Sequence, residues 1–389
     1  MNRQLRLVKG LNAFYFAGNA VLLPYLPLYF AAKGFSPVEI GLLMMIGPFI
    51  AVFAQPVWGY ASDRLQTVKR IIALLWICAF ASSVALFTVE GFATTLISVT
   101  LLYFFLMPTS PLLDSLSIRS AEVSGVSYGS IRMWGSVGFS SFAAISGLVL
   151  VWIGGIEQLK WVYWGIGVFP LTLLVWLRDV PANGPPVTLR ALLQVARNWS
   201  FLWFLLLVFV MIMPHRMNDG FLGLHMLHLG ATEQLVGLAW TVAALSEAPT
   251  FALLHRYLAR FQELALLGIV GLLFALRWYL YSIATDPYLI LFLQASQAVT
   301  FAVFWICAVS YAVRAVPPEL RSTGQSLFAA VFVGVAGIAS GWYGGLMEEL
   351  GGYELAYGAG AWIAGVGGAL FLATHEWQRR ALRKRERLP

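Results

Sequence analysis

Charge is scarce in this sequence: Asp, Glu, Lys and Arg supply 11% of its 389 residues, against about a quarter in a soluble domain. With 60% of the residues hydrophobic, the chain cannot cover a soluble globule with polar surface. Cysteine is scarcer still. The two present, Cys78 and Cys307, both fall in long apolar stretches, so neither a disulfide scaffold nor a cysteine-held metal is expected. There is no His-rich metal pattern, no phosphate-binding glycine loop and no nucleophile elbow. Those absences set an enzyme aside, and neither a metal nor a cofactor is expected.

What the sequence has instead is apolar length. A helix needs about 20 apolar residues to cross hydrocarbon, and such stretches follow one another along the chain. Charged and turn-forming clusters divide them into spans near 7–33, 38–63, 69–89, 92–118, 127–154 and 158–178, then 199–229, 233–258, 263–285, 287–313, 320–347 and 353–376. The first begins after Arg3, Arg6 and Lys9 like a signal peptide, but it is too long and lacks a cleavage site, so it is expected to be retained. The fold expected is an all-α membrane protein of twelve helices in two six-helix bundles, residues 1–180 and 199–378. A linker over 181–198 opens with Pro and Gly and closes as a short amphipathic helix, and 379–389 form a basic tail.

The net charge of +7 would suggest nucleic acid in a soluble protein. Here its distribution speaks for the lipid bilayer as partner. With twelve spans and an inside N-terminus, 20 of the basic residues fall on inner segments, and only Lys33 and Lys160 lie outside. A wrong span count would scramble that asymmetry. Both termini are therefore expected in the cytoplasm, in a cytoplasmic (inner) membrane, and nucleic acid is not expected.

The remaining basic residues, Arg132, Arg216 and Arg277, lie within spans, as do Asp114, Asp219 and Glu247. Each such charge costs at least about 2.5 kcal/mol in hydrocarbon, so each requires a partner or a watery cavity. Asp114 sits five residues before Arg119, at the end of span four, and Arg132 about five residues into span five. At about 1.5 Å per residue both lie roughly 7 Å inside the same boundary and can meet across the hairpin. Glu247 and Arg277 share a mid-membrane depth and can pair as well. Pro214 beside His215, Arg216 and Asp219 suggests a helix break in span seven, a feature of transport sites. Any one pair can be an ion-pair lock between packed helices, and His215 taken alone reads as a packing residue. Three acids and three arginines together read as a pathway for a polar solute and a proton.

The second span ends QPVWGYASDR, followed by Lys69 and Arg70. This resembles the signature loop between helices two and three of the major facilitator superfamily. The resemblance implies a gating role for Gly59, Asp63, Arg64 and Arg70: charge pairing at the cytoplasmic end, with Gly59 permitting close helix approach. YGSIRMWGSVGF, from Tyr128 to Phe139, preceded by SPLLD and by an opening NAFYFAGNAVLLPYLPLYF, is similar to the lactose permease group and to its relatives for aromatic acids and nucleosides.

That resemblance implies a substrate-binding set of Tyr15, Asn19, Asp114, Arg132, Ser136, Phe139, Arg277, Gln294 and Gln297. Phe139 stands where the lactose permease group carries a sugar-stacking tryptophan. Gln294 and Gln297 replace its proton-coupling histidine and glutamate, and glutamine cannot exchange a proton near neutral pH. Coupling is therefore expected to move to Asp219 or Glu247, with His215 and Arg216 beside them; Glu247 in WTVAALSE resembles an acid of the aromatic-acid branch. Trp134 and Trp305 are further candidates to line a cavity.

The function these readings imply is alternating-access transport of a small polar or anionic organic solute (aromatic carboxylate, sugar or nucleoside) by proton symport into the cell, by a monomer. An exporter by proton antiport, and a non-transporting receptor on the same fold, are the alternatives. The receptor should have lost its internal charges or gained a soluble domain, and neither is seen.

Overall fold

The computed structural model describes residues 3–179, 194–195, 197–253, 262–317 and 320–386. Among them there is no strand. In hydrocarbon every backbone N–H and C=O must be satisfied inside its own segment, and a helix does this. The helices are α1 (Arg3–Ala32), α2 (Pro37–Leu65), α3 (Lys69–Thr88), α4 (Phe92–Ser124), α5 (Tyr128–Ile153), α6 (Ile156–Trp176), α7 (Trp199–His228), α8 (Glu233–Leu253), α9 (Glu263–Ser282) and α10 (Pro287–Arg314). The last helical run is divided by the non-helical backbone of Gly351 and Gly352 into α11 (residues 321–350) and α12 (residues 353–386). Eleven of the expected spans agree with these helices to within about six residues, the end of the eighth (254–258) lying outside the described residues; α12 instead runs ten residues past the expected 376 and carries most of the expected tail as helix. Most of the expected linker, 181–198, with its amphipathic helix, lies outside the described residues.

Local chemistry sets the ends. The α2 N-terminus is a capping box: the Ser36 hydroxyl accepts from the Glu39 amide while the Glu39 carboxylate accepts from the Ser36 amide at 2.8 Å, with Pro37 at the first helical position. α4 stops at Gly125, whose φ of +64° is left-handed backbone that favours glycine. Ser127 then caps α5, accepting from the Ser130 amide at 3.3 Å. This short hairpin is what brings the end of α4 and the start of α5 together.

The chain forms two compact units, Met1–Pro185 with Gly220–Ala244, and Pro186–Asp219 with Leu245–Pro389. In the first, α1 and α5 approach until the backbone of Gly138 meets the Ala13 carbonyl, and Gly135 lies under the ring of Phe16. α5 meets the start of α8 in the same way, Gly147 against the Glu233 carbonyl and Gly237 against the Ala143 carbonyl. The Tyr25 hydroxyl donates towards Ala143 O at 3.0 Å and Glu233 O at 3.3 Å. In the second unit, Gly268 and Gly271 of α9 pack on Gly368 of α12. Small residues at such crossings replace the hydrophobic drive that lipid cannot supply with close van der Waals contact. Outward positions carry large apolar groups, with Trp152 86% and Trp362 80% exposed.

Two expectations are corrected here. Gly59 does not mediate a close approach, since a side-chain carbon there would meet nothing within 4 Å. Nor does Pro214 break α7, which runs unbroken from Trp199 to His228. One lost backbone N–H is tolerated within a packed bundle, and the ring of Pro214 finds its space against Gly360 of α12.

Candidate functional site

In the first unit the α4–α5 hairpin delivers the expected pair. Arg132 Nε lies 3.6 Å from Asp114 Oδ1, with the two side chains 34% and 36% exposed. The Tyr128 hydroxyl donates to the same carboxylate oxygen at 2.8 Å, which fixes Asp114 from the α5 side. The Arg132 guanidinium lies 3.9 Å from the centre of the Phe16 ring, a cation–π contact. Gly135, one turn on from Arg132, has its missing side chain's space taken by Phe16 and by an Arg132 Nη, so the motif's glycine makes room for the arginine itself. Ser136 is exposed on the same helix, and half-buried Phe139 meets Trp240 edge to face at 6.3 Å. Tyr15 and Asn19 are buried behind this group, Tyr15 against Trp76 at 5.5 Å.

The second unit holds the other charges, in a different pairing from the one expected. Arg216 pairs with Asp219, one turn along α7. Arg277 does not pair with Glu247. It is 2% exposed, and it donates to Gln297 Oε1 at 2.8 Å, the Tyr281 hydroxyl at 3.1 Å, the Thr300 hydroxyl at 3.4 Å and Gln294 Oε1. A guanidinium has donors enough to bind several neutral acceptors at once, and these engage both Nη groups, while Nε is buried without a partner among the described residues. Glu247 is half-buried, and no ion pair involves it among the described residues. His215 is 3% exposed and stacked on Phe301 at 4.8 Å, with Phe274 at 5.5 Å, the surroundings of a packing residue.

Helix irregularities gather around these groups. α10 tightens to a 3-10 turn over Ala295–Ala298, next to Gln294 and including Gln297, so Arg277 grips both ends of the turn. α11 widens to a π-helical segment over Ala330–Val335. Phe332 of that segment lies under Arg216, 5.4 Å from guanidinium carbon to ring centre, and against Trp305 at 5.1 Å. π segments occur disproportionately at functional sites. The sequence reading missed both irregularities, since neither is marked by proline or by a glycine run.

The signature loop is held by an acid that the sequence reading passed over. Asp179, just past α6, accepts from the Thr67 hydroxyl and from the Lys69 amide at 3.0 Å, while Lys69 Nζ donates to the Leu177 carbonyl at 2.6 Å. Asp63, Arg64 and Arg70 are exposed, and among the described residues none of them forms an ion pair. The RD dipeptide at the end of the sixth span was the available signal.

Residues 5–359 match the model of the MFS_1 like family. The chain is 28% identical over 340 residues to a maltose permease of Geobacillus stearothermophilus, covering 86% of this chain and 85% of that protein. It is 25% identical over 331 residues to the probable 3-phenylpropionic acid transporter of Escherichia coli (strain K12), covering 82% and 85%. The crystal structure of the nucleoside transporter NupG aligns with a TM-score of 0.83 at 18% identity, over 96% of this chain and 99% of that one.

Proposed function

The chain belongs to the MFS_1 like family of membrane transporters, and from that premise we propose that it carries a small polar or anionic organic solute into the cell together with a proton. It is a multi-pass transporter with the major facilitator fold and not an enzyme. The observation that carries the finer reading is the Asp114–Arg132 pair, 3.6 Å apart with about a third of each side chain exposed. An exposed pair at this distance adds little to stability, so holding two helices together is a weak account of it. This one is loose and open, so a substrate carboxylate or hydroxyl can exchange with either partner.

The Phe16 ring beside the arginine and the half-buried Phe139 suit a solute that carries a ring as well as polar groups: an aromatic carboxylate, a sugar or a nucleoside. A guanidinium offers a bidentate fork to a carboxylate. For the proton, Asp219 is engaged by Arg216, whereas Glu247 has no ion-pair partner among the described residues. This supports Glu247 as the carrier. Opening the site to one side of the membrane at a time would expose Glu247 to each solution in turn. The chain is proposed to act as a monomer in the cytoplasmic membrane with both termini inside, the orientation that the basic residues favour.

The test is a thermal-shift screen of purified protein with sugars, nucleosides and aromatic carboxylates, followed by uptake of each hit into liposomes under an imposed pH gradient. Uptake that a protonophore collapses supports symport. Stabilisation by lipophilic cations alone, without inward accumulation, overturns the reading in favour of export.

A further inference from the structure

A cavity of about 400 Å³ opens at the end of the second unit where α7 begins and α12 ends. Its walls are Trp199, Trp203 and Leu207 on α7 and Leu370, Ala373 and Trp377 on α12. The Trp203 indole donates to the Thr374 hydroxyl at 3.0 Å and ties the two walls together. Trp199 and Trp377 are 83% and 70% exposed at the rim. Tryptophans at helix ends mark the depth of lipid head groups. A single belt residue needs no cavity, whereas these three surround an apolar cleft that the protein's own side chains leave open.

The rim is also cationic. Arg197 stands two residues before Trp199, and Arg379 and Arg380 directly follow Gln378, which itself lines the cleft. All three arginines are exposed. At about 1.5 Å of rise per residue, Arg380 begins about 3 Å beyond Gln378, well within the length of its side chain. The rim's acid is Glu376, 3.4 Å from Arg379, so positive charge predominates. A cleft that is apolar at lipid depth and cationic at head-group depth matches one chemistry, an acyl chain joined to a phosphate.

We propose that this cleft is a binding site for one anionic phospholipid from the leaflet at the start of α7 and the end of α12, with an acyl chain between α7 and α12 and its phosphate held by Arg197 and Arg380. The site is separate from the solute path proposed above and does not depend on it. It would add to the contacts by which the start of α7 already meets the end of α12, the Trp203–Thr374 bond and the Phe204–Phe371 ring contact.

Native mass spectrometry of the full chain, released from detergent with equal phosphatidylglycerol and phosphatidylcholine, tests this. The expected result is selective retention of one phosphatidylglycerol. A juxtamembrane arginine contributes about fivefold to affinity for an anionic lipid, so Arg197→Gln with Arg380→Gln should weaken retention by about 25-fold. Ala373→Phe, at an exposed position, should abolish retention by filling the cleft while leaving every charge in place, and its thermal unfolding without lipid should match the parent. Equal retention of the two lipids overturns the site, as does undiminished retention by Ala373→Phe. Displacement of the lipid by soluble glycerophosphoglycerol would show that the arginines bind head groups without the cleft, and would overturn it too.

Discussion

Arg132 lies across the ring of Phe16, 3.9 Å from guanidinium carbon to ring centre, while its Nε faces Asp114 at 3.6 Å. The planar cation is thus held by a face on one side and a carboxylate at its edge. Lysine reproduces the charge but not the plane or the fork. Arg132→Lys is expected to fold and to lose the charge-assisted bonds, worth about 1.5–3 kcal/mol, or roughly 10- to 150-fold in substrate affinity. Ligand titration by intrinsic fluorescence or calorimetry checks this, and unchanged affinity would remove Arg132 from the site.

Glu247→Gln keeps the size and polarity of the side chain but cannot release a proton. Wild-type uptake should rise as the outside solution is acidified, because protons then flow inward with the solute. In the variant, uptake should become flat with pH and accumulation against a gradient should vanish, while exchange of labelled for unlabelled substrate continues. Counterflow and pH-jump assays on the same liposomes separate the two. Retained accumulation would shift the coupling role to Asp219.

Arg277 is expected to act through structure. Arg277→Ala would leave the carbonyls of Gln294 and Gln297, 1% and 4% exposed, without their donor. Each unsatisfied buried acceptor costs about 1–3 kcal/mol, so a clear fall in Tm is expected. Gln297→Glu should raise Tm in the otherwise wild-type chain by giving Arg277 a charged acceptor. Arg277→Ala with wild-type Tm and weakened binding would instead place this residue on the substrate.

Gly237→Val sets a branched side chain against the Ala143 carbonyl. No rotamer relieves a clash between a side-chain carbon and main chain, so α5 and the start of α8 must separate. Hydrogen–deuterium exchange should rise across residues 143–147 and 233–237, with transport reduced at least tenfold. Gly59→Ala, in open space, should change neither.

Much of the fold was legible because membrane thickness and charge sidedness both constrain it: span length counts helices, and the basic residues check the count. The Asp114–Arg132 pair was legible for a related reason. Both residues hang from one short hairpin, so depth alone brings them together. Depth failed for Glu247 and Arg277, because equal depth says nothing about which way each helix is turned. Arg277 faces α10 and its glutamines. Glycine contacts were opaque for the same reason: Gly138 and Gly237 touch main chain while Gly59 touches nothing, and only the identity of the neighbouring helix distinguishes them. Pro214 predicted a break on its covalent chemistry, which the fit of its ring against Gly360 accommodates.

The two irregular segments depart from α-helical geometry in opposite directions. A 3-10 turn advances about 2.0 Å per residue where an α-helix advances about 1.5 Å, so α10 is locally stretched over Ala295–Ala298. α11 over Ala330–Val335 is locally overfilled, with an extra residue packed into its height. The aromatic rings that join them, Phe301 and Phe332, lie 6.1 Å apart. Passing a π turn along a helix by one residue rotates the stretch it crosses by about 100°, and relaxing a 3-10 turn shortens its helix and turns one end relative to the other by about 20° per residue. α10 and α11 therefore hold slack of opposite sign beside Arg216. A group bound there can be turned or lifted by a shift of winding within two helices, with no loop uncovered and no bundle bent.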